Sequence, residues 1–91
     1  MEPRIRFDSV TAEPLGDRVR VGGRCMAGPI RRGDTFGTMQ IGQERESVNL
    51  MVERIELYGN DIESLDPVFS GRLTLSGDGL DRIKPKTSFR D

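Results

Sequence analysis

Histidine and tryptophan are absent from the 91 residues, and cysteine occurs once. Without histidine there is no Ser-His-Asp or Cys-His device and no zinc site built on imidazole. A lone cysteine makes neither an internal disulfide nor a cysteine-based metal site, and a reducing, cytoplasmic setting is expected. Aromatic residues are 5% of the chain, too few for a base-stacking platform of the usual kind. No apolar run approaches the ~20 residues of a membrane span. Met1-Glu2-Pro3-Arg4 has no apolar core and no cleavage pattern, so neither a signal peptide nor a membrane partner is expected. An excess of one charge is missing too: 14 Lys and Arg against 15 Asp and Glu leave a net charge of −1, whereas general nucleic-acid binders carry a clear basic excess. The loop G-x-x-x-x-G-K-[ST] does not occur, and no GTP binding is expected.

What is present suits one domain over residues 1–91. Apolar residues make up 34% and charged residues 32%, polar for a globular domain but not disordered. Valine, isoleucine, leucine and phenylalanine come in short alternating runs, and 11 glycines supply turns. That pattern predicts an all-β chain, a small barrel or sandwich.

The organising stretch runs from Val19 to Phe36. Val19, Val21, Gly23 and Cys25 share one face of a strand over about Arg18–Met26, with Arg18 and Arg20 on the other. Gly23 in mid-strand predicts a bulge or a close approach of backbones. Gly28 and Gly33 mark positions that need positive φ or no Cβ. An earlier strand, Arg4–Val10, places Ile5 and Phe7 on one face, and a turn follows at Glu13–Asp17. Thr35–Ile41 is the third strand, and Gly42–Glu46 a loop. Ser47–Tyr58 is the longest strand; its apolar parity changes between Val52 and Ile55, which predicts a bulge at Glu53-Arg54. Gly59-Asn60-Asp61 reads as the hairpin turn and Ile62–Leu65 as a short strand. Val68–Ser76 follows, with Phe69, Gly71, Leu73 and Leu75 on one face. Leu80–Ile83 reads as one helical turn with Ile83 inward, and Thr87–Phe89 as a final edge strand.

Two of these stretches together resemble the second domain of translational GTPases, the elongation factor Tu type barrel. The family pattern G-R-V-x-x-G-x-I-x-x-G-D-x-V is matched in spacing by Gly23-Arg24-Cys25-Met26-Ala27-Gly28-Pro29-Ile30-Arg31-Arg32-Gly33-Asp34-Thr35-Phe36. Val52–Ile62 corresponds to its strand and hairpin, and Val68–Gly77 to its strand opened by glycine. The closing I-x-x-G-D is replaced by Ile83-Lys84-Pro85-Lys86-Thr87, so that turn is expected to differ in shape. The resemblance spans about Arg4 to Phe89. It implies a small closed antiparallel Greek-key-type β-barrel without its nucleotide-binding domain. In the family such barrels touch the acceptor end of aminoacyl-tRNA, ribosomal RNA or neighbouring domains.

The residues themselves supply two candidate surfaces. Up to Gln40 the chain has seven arginines and five acids; from Ile41 it has seven basic residues and ten acids. Arg18, Arg20, Arg24, Arg31 and Arg32 suit bidentate phosphate or carboxylate contacts. Glu53, Glu56, Asp61 and Glu63, with Asp66, form an acidic hairpin suited to a basic protein partner, as in small acidic inhibitors and immunity proteins. The bland alternatives are ordinary solvated charge and an acidic edge that discourages aggregation. Asp78-Gly79-Leu80-Asp81 matches no EF-hand spacing, and no cofactor or metal is expected. Cys25 reads as a small buried hydrophobe. Tyr58 and Phe36 are able to stack on a base but are read as core. The expected function is non-catalytic binding, a protein–protein interaction module, with RNA or ribosome binding as the alternative.

Overall fold

Short alternating runs separated by tight turns can bury their apolar face by curling one sheet closed. The computed structural model, which describes residues 2–91, has this architecture. In chain order the strands are β1 (Arg6–Leu15), β2 (Arg18–Ala27), β3 (Ile30–Arg31), β4 (Thr35–Ile41), β5 (Glu44–Leu57), β6 (Asn60–Ile62), β7 (Ser64–Leu65), β8 (Ser70–Asp78) and β9 (Thr87–Arg90). One 3-10 turn covers Leu80–Arg82. Six strands form a closed antiparallel ring, β4-β9-β1-β2-β8-β5 and back to β4. β6 extends from β5, and β3 pairs separately with β7.

The inward alternation fills the barrel. Ile5, Phe7, Val21, Cys25, Phe36, Leu50, Val52, Ile55, Leu73, Leu75 and Phe89 are fully buried. Phe36 and Phe89 pack with ring centroids 5.6 Å apart, a tilted aromatic pair. The parity change in β5 is a bulge: Val52 faces Leu75 and Arg54 faces Thr74, leaving Glu53 as the extra residue. Gly23 marks the close approach of β1 and β2, because a Cβ there would lie 2.1 Å from the Asp8 carbonyl oxygen.

The G-x-I-x-x-G-D stretch has a physical reason at each fixed position. A Cβ on Gly28 would meet the Ile30 nitrogen at 2.8 Å and Cys25 Sγ at 2.9 Å. Ile30 is fully buried. Gly33 has φ 96°, in the left-handed region. Asp34 clips the turn: its Oδ2 accepts from the Arg31 backbone N–H at 2.8 Å. The turn is then stitched to β5, with Gly33 N–H donating to Val52 O and Val52 N–H donating to Asp34 O, both at 2.8 Å.

The turn at Lys86-Thr87 corrects an expectation. It keeps the plan of Gly33-Asp34 despite the different residues. Lys86 takes the left-handed conformation at φ 66°. The Thr87 hydroxyl donates to the Lys84 carbonyl at 2.5 Å and accepts from the Lys84 N–H at 3.4 Å, as Asp34 does from Arg31.

Other expectations change as well. Thr87–Phe89 is no edge: β9 lies between β4 and β1 and completes the ring. Ser9, buried, ties it in, donating to the Thr87 carbonyl at 2.8 Å and accepting from the Thr87 N–H at 3.0 Å. The β5–β6 turn is Tyr58-Gly59, since Leu57 pairs with Asn60. Ile62–Leu65 divides into β6 and β7, which join different sheets. Phe69 precedes β8 and is exposed, not inward. β5 begins at Glu44, so the predicted Gly42–Glu46 loop shrinks to a turn at Gly42-Gln43.

Candidate functional site

The ring order decides what becomes of the charged residues. β2 lies between β1 and β8, and β8 lies against β5, so outward arginines of β2 reach acids of β1 and β5. Arg20 donates to Glu13 Oε1 through Nε at 3.1 Å and Nη2 at 2.5 Å, and its Nη1 lies 3.8 Å from Glu56. Arg18 sits 2.9 Å from Asp17 and 3.8 Å from Glu53. Glu53 also accepts from the Ser76 hydroxyl at 2.9 Å. Arg32 pairs with Glu63 at 2.8 Å and Arg54 with Asp61 at 2.7 Å. The candidate basic surface and the candidate acidic hairpin are therefore largely each other's partners. Arg31 is exposed at the β3 turn and has no ion pair among the described residues. Arg24 likewise has no ion pair among the described residues, and it stands apart from the others.

Arg24 borders a groove of about 640 Å³. Its floor is backbone: Gly22 and Gly23 of β2 and Gly71 of β8. Val10 and Thr11 of β1 line one side, and Glu56, Tyr58 and Gly59 the other. Arg72 of β8, exposed, also lines it and has no ion pair among the described residues. Arg24 faces Ser70 across the β2–β8 ladder, and Arg72 is two residues further on, so the two arginines share a face.

Around this groove apolar side chains point to water. Tyr58 is 90% exposed, Val68 72%, Val10 62%, Phe69 48% and Met26 47%. The expectation that Tyr58 is core fails; Phe36 is core. Val68 and Phe69 continue the ladder past Arg24, with Cys25 N–H donating to Phe69 O at 3.0 Å and Val68 N–H donating to Cys25 O at 2.8 Å. Each of the five occupies a backbone irregularity. Val10 is the extra residue where β1 shifts register between Ser9 and Thr11, and Met26 the extra residue where Arg6 and Phe7 face Ala27 and Cys25. Tyr58 (φ 53°) and Val68 (φ 67°) hold left-handed conformations. Phe69 closes a turn onto the Asp66 carbonyl at 3.2 Å. Irregular backbone breaks the inward-outward alternation, and this is how apolar residues escape the core.

Cys25 lies beneath the same end of the barrel. Burial pushes its thiol pKa up, against the opposing effect of backbone hydrogen bonds from Ile30 and Ala27. It is fully buried, with Sγ 3.4 Å from the Ala27 carbonyl oxygen and 3.5 Å from that of Leu65. A buried thiol of raised pKa is packing, not a nucleophile. Among the described residues no three His, Cys, Asp or Glu side chains are grouped to hold a metal ion, and no helix is long and apolar enough to cross a membrane.

Sequence reasoning pointed to Arg24 and Glu56, named Tyr58 but read it as core, and missed Val68, Val10 and Arg72. A signal for Tyr58 was present: with Gly59 next to it, a two-residue turn at Tyr58-Gly59 uses the glycine where positive φ is needed. No protein-family model matches the chain, and no curated protein matches it.

Proposed function

We propose that this protein is a non-catalytic interaction module on a translation-factor-type barrel, and that it binds a protein partner through the groove between Val10 and Tyr58. The carrying observation is a groove lined by two exposed apolar side chains, Tyr58 and Val10, and by two arginines without ion pairs among the described residues, with Val68, Phe69 and Met26 exposed on the adjoining ends of β2 and β8. Protein-binding surfaces are enriched in tyrosine, phenylalanine, methionine and arginine, and depleted in lysine and acids. The barrel type is supported by the repeated turn plan at Gly33-Asp34 and Lys86-Thr87, each closed by a side chain reaching back three residues. The acidic hairpin is a weaker contact surface in this reading, because Glu53, Glu56, Asp61 and Glu63 already face arginines. A cytoplasmic setting suits the single, buried thiol.

One feature favours a second reading. Tyr58 stands free beside Arg24 and Arg72, and an aromatic ring with cationic neighbours also suits an unstacked RNA base. Capture from the cell of origin separates the two. Tagged wild-type protein and a Tyr58→Ala, Phe69→Ser variant are used as bait, each with and without RNase. The protein reading expects a partner that survives RNase and is lost with the variant. A partner retained equally by the variant refutes this surface, and one lost with RNase moves the assignment to RNA.

A further inference from the structure

We propose that the groove receives an extended acidic-apolar peptide segment, its carboxylates held by Arg24 and Arg72 and its apolar side chains resting on Tyr58 and Val10. This rests on the protein-binding reading above and adds the chemistry of the ligand. As diagonal neighbours across β2 and β8, Arg24 and Arg72 have Cβ atoms about 7 Å apart. That spacing lets two guanidinium groups converge on one carboxylate or hold two successive ones. Without an anion between them they repel.

The acids closest in the sheet are already engaged. Asp8 faces Arg24 across the β1–β2 ladder, but its oxygens accept from Arg6 at 2.9 and 3.0 Å and from Ser88 at 2.9 Å. Glu56 faces Arg72 across β5 and β8, with its carboxylate 3.8 Å from Arg20. The charge left uncompensated in the groove is positive. Gly22, at the outward parity of Arg20 and Arg24, leaves no side chain between a peptide backbone and the sheet at that point of the floor. A nucleic-acid strand asks for a longer cationic track; here the other side chains that line the groove are Val10, Thr11, Glu56, Tyr58 and Ser70.

The test uses fluorescence polarisation with a short labelled peptide alternating aspartate with leucine and phenylalanine. Saturable binding is expected. Replacing the aspartates with asparagine should weaken it about tenfold, as should Arg24→Glu or Arg72→Glu in the protein. Raising salt from about 0.05 M to about 0.5 M should weaken it several-fold. Arg24→Gln and Arg72→Gln serve as second variants, and circular dichroism verifies the fold of all four. No binding at about 1 mM peptide overturns the proposal, as does equal binding of the asparagine or a lysine counterpart, or tighter binding of an oligouridine probe. Equal binding of aspartate and asparagine peptides that is lost with Tyr58→Ala removes the carboxylate assignment and leaves the protein-binding reading standing. Peptides that bind regardless of Tyr58 and both arginines refute the two together.

Discussion

Replacing Gly23 with alanine adds one methyl group where β1 and β2 come closest. The new Cβ would lie 2.1 Å from the Asp8 carbonyl oxygen, 2.7 Å from Ser9 Cα and 2.9 Å from the Asp8 carbonyl carbon. Close carbon–oxygen contacts between strands are about 3.3 Å, so β1 must retreat by about 1 Å. All three atoms are backbone, and no rotamer change relieves the overlap. Ser9 sits at the point of retreat, and its two hydrogen bonds to Thr87 anchor β9 in the ring. Overpacking costs about 2 kcal/mol and a weakened buried hydrogen bond about 1 kcal/mol more. Alanine restricts the unfolded chain and returns about 0.5 kcal/mol. The expected net loss is about 2.5 kcal/mol out of a stability of roughly 5–13 kcal/mol for this length.

Gly22→Ala is the matched control one residue away. Its Cβ first meets the Thr11 hydroxyl oxygen at 2.7 Å, the tip of an exposed side chain that can rotate aside. A change within about 0.5 kcal/mol is expected there. Thermal and urea unfolding followed by circular dichroism reads both variants. Gly23→Ala should lower the melting temperature by about 10–15 °C, Gly22→Ala by no more than about 3 °C. Equal stability of the two, or a Gly23→Ala protein as stable as wild type, refutes the account of the close approach.

Tyr58→Asn should stabilise the fold by about 1 kcal/mol, because Asn-Gly suits a hairpin turn with positive φ at both positions, while partner binding falls. An unchanged or lower melting temperature counts against strain at Tyr58. Lys86→Gly should likewise stabilise by about 1 kcal/mol, relieving φ 66°; a loss of stability would show that the lysine side chain contributes something the turn geometry does not. Burial opposes ionisation of Asp8, but hydrogen bonds from Arg6 and Ser88 outweigh it and hold its pKa below the usual 3.8. Its contribution is therefore present at neutral pH and lost as pH falls through that depressed value. The stability gap between wild type and Asp8→Asn, under about 1 kcal/mol for so exposed a pair, should close on acidification to about pH 2. A gap that stays constant in urea titrations across that range removes Asp8 from the acid limb.

Local alternation was enough to find most of the wall. Val19, Val21 and Cys25 repeat every second residue and are all inward, and the bulge at Glu53 follows from the parity of Val52 and Ile55 alone. β9 was harder to read. Its four residues carry one large apolar side chain, Phe89, and its pairing depends on β1 and β4, which lie more than forty residues away in the chain. Charge was harder still. Alternation shows that Arg20 points outward, but its partner Glu56 is set by the ring order, which places β8 between β2 and β5. The basic first half and acidic second half therefore interleave as neighbouring strands instead of forming two faces. The Tyr58 error came from a small shift of the hairpin turn, enough to move an aromatic ring from the expected core to the surface.

The exposed apolar residues raise a question that packing does not answer. Regular strands in this chain send apolar side chains inward, so stability alone would place polar residues at the bulges and glycine or asparagine at the left-handed positions. The chain instead has tyrosine and valine there, at φ 53° and 67°. A left-handed conformation costs an ordinary residue about 1–2 kcal/mol, and for a β-branched valine it is a true outlier. Two such residues consume a sizeable share of the roughly 5–13 kcal/mol available. Neither side chain recovers that energy inside the molecule, since Tyr58 and Val68 are the two most exposed of its large apolar residues. In the proposed reading that strain is offset by contacts in a complex: Tyr58 lines the groove with Arg24 and Arg72, and Val68 pairs with Cys25, the residue after Arg24. The polar pairs that interlock Arg18, Arg20 and Arg32 with Glu53, Glu56 and Glu63 hold the wall in register. In the proposed reading, binding falls to the positions where that wall is irregular.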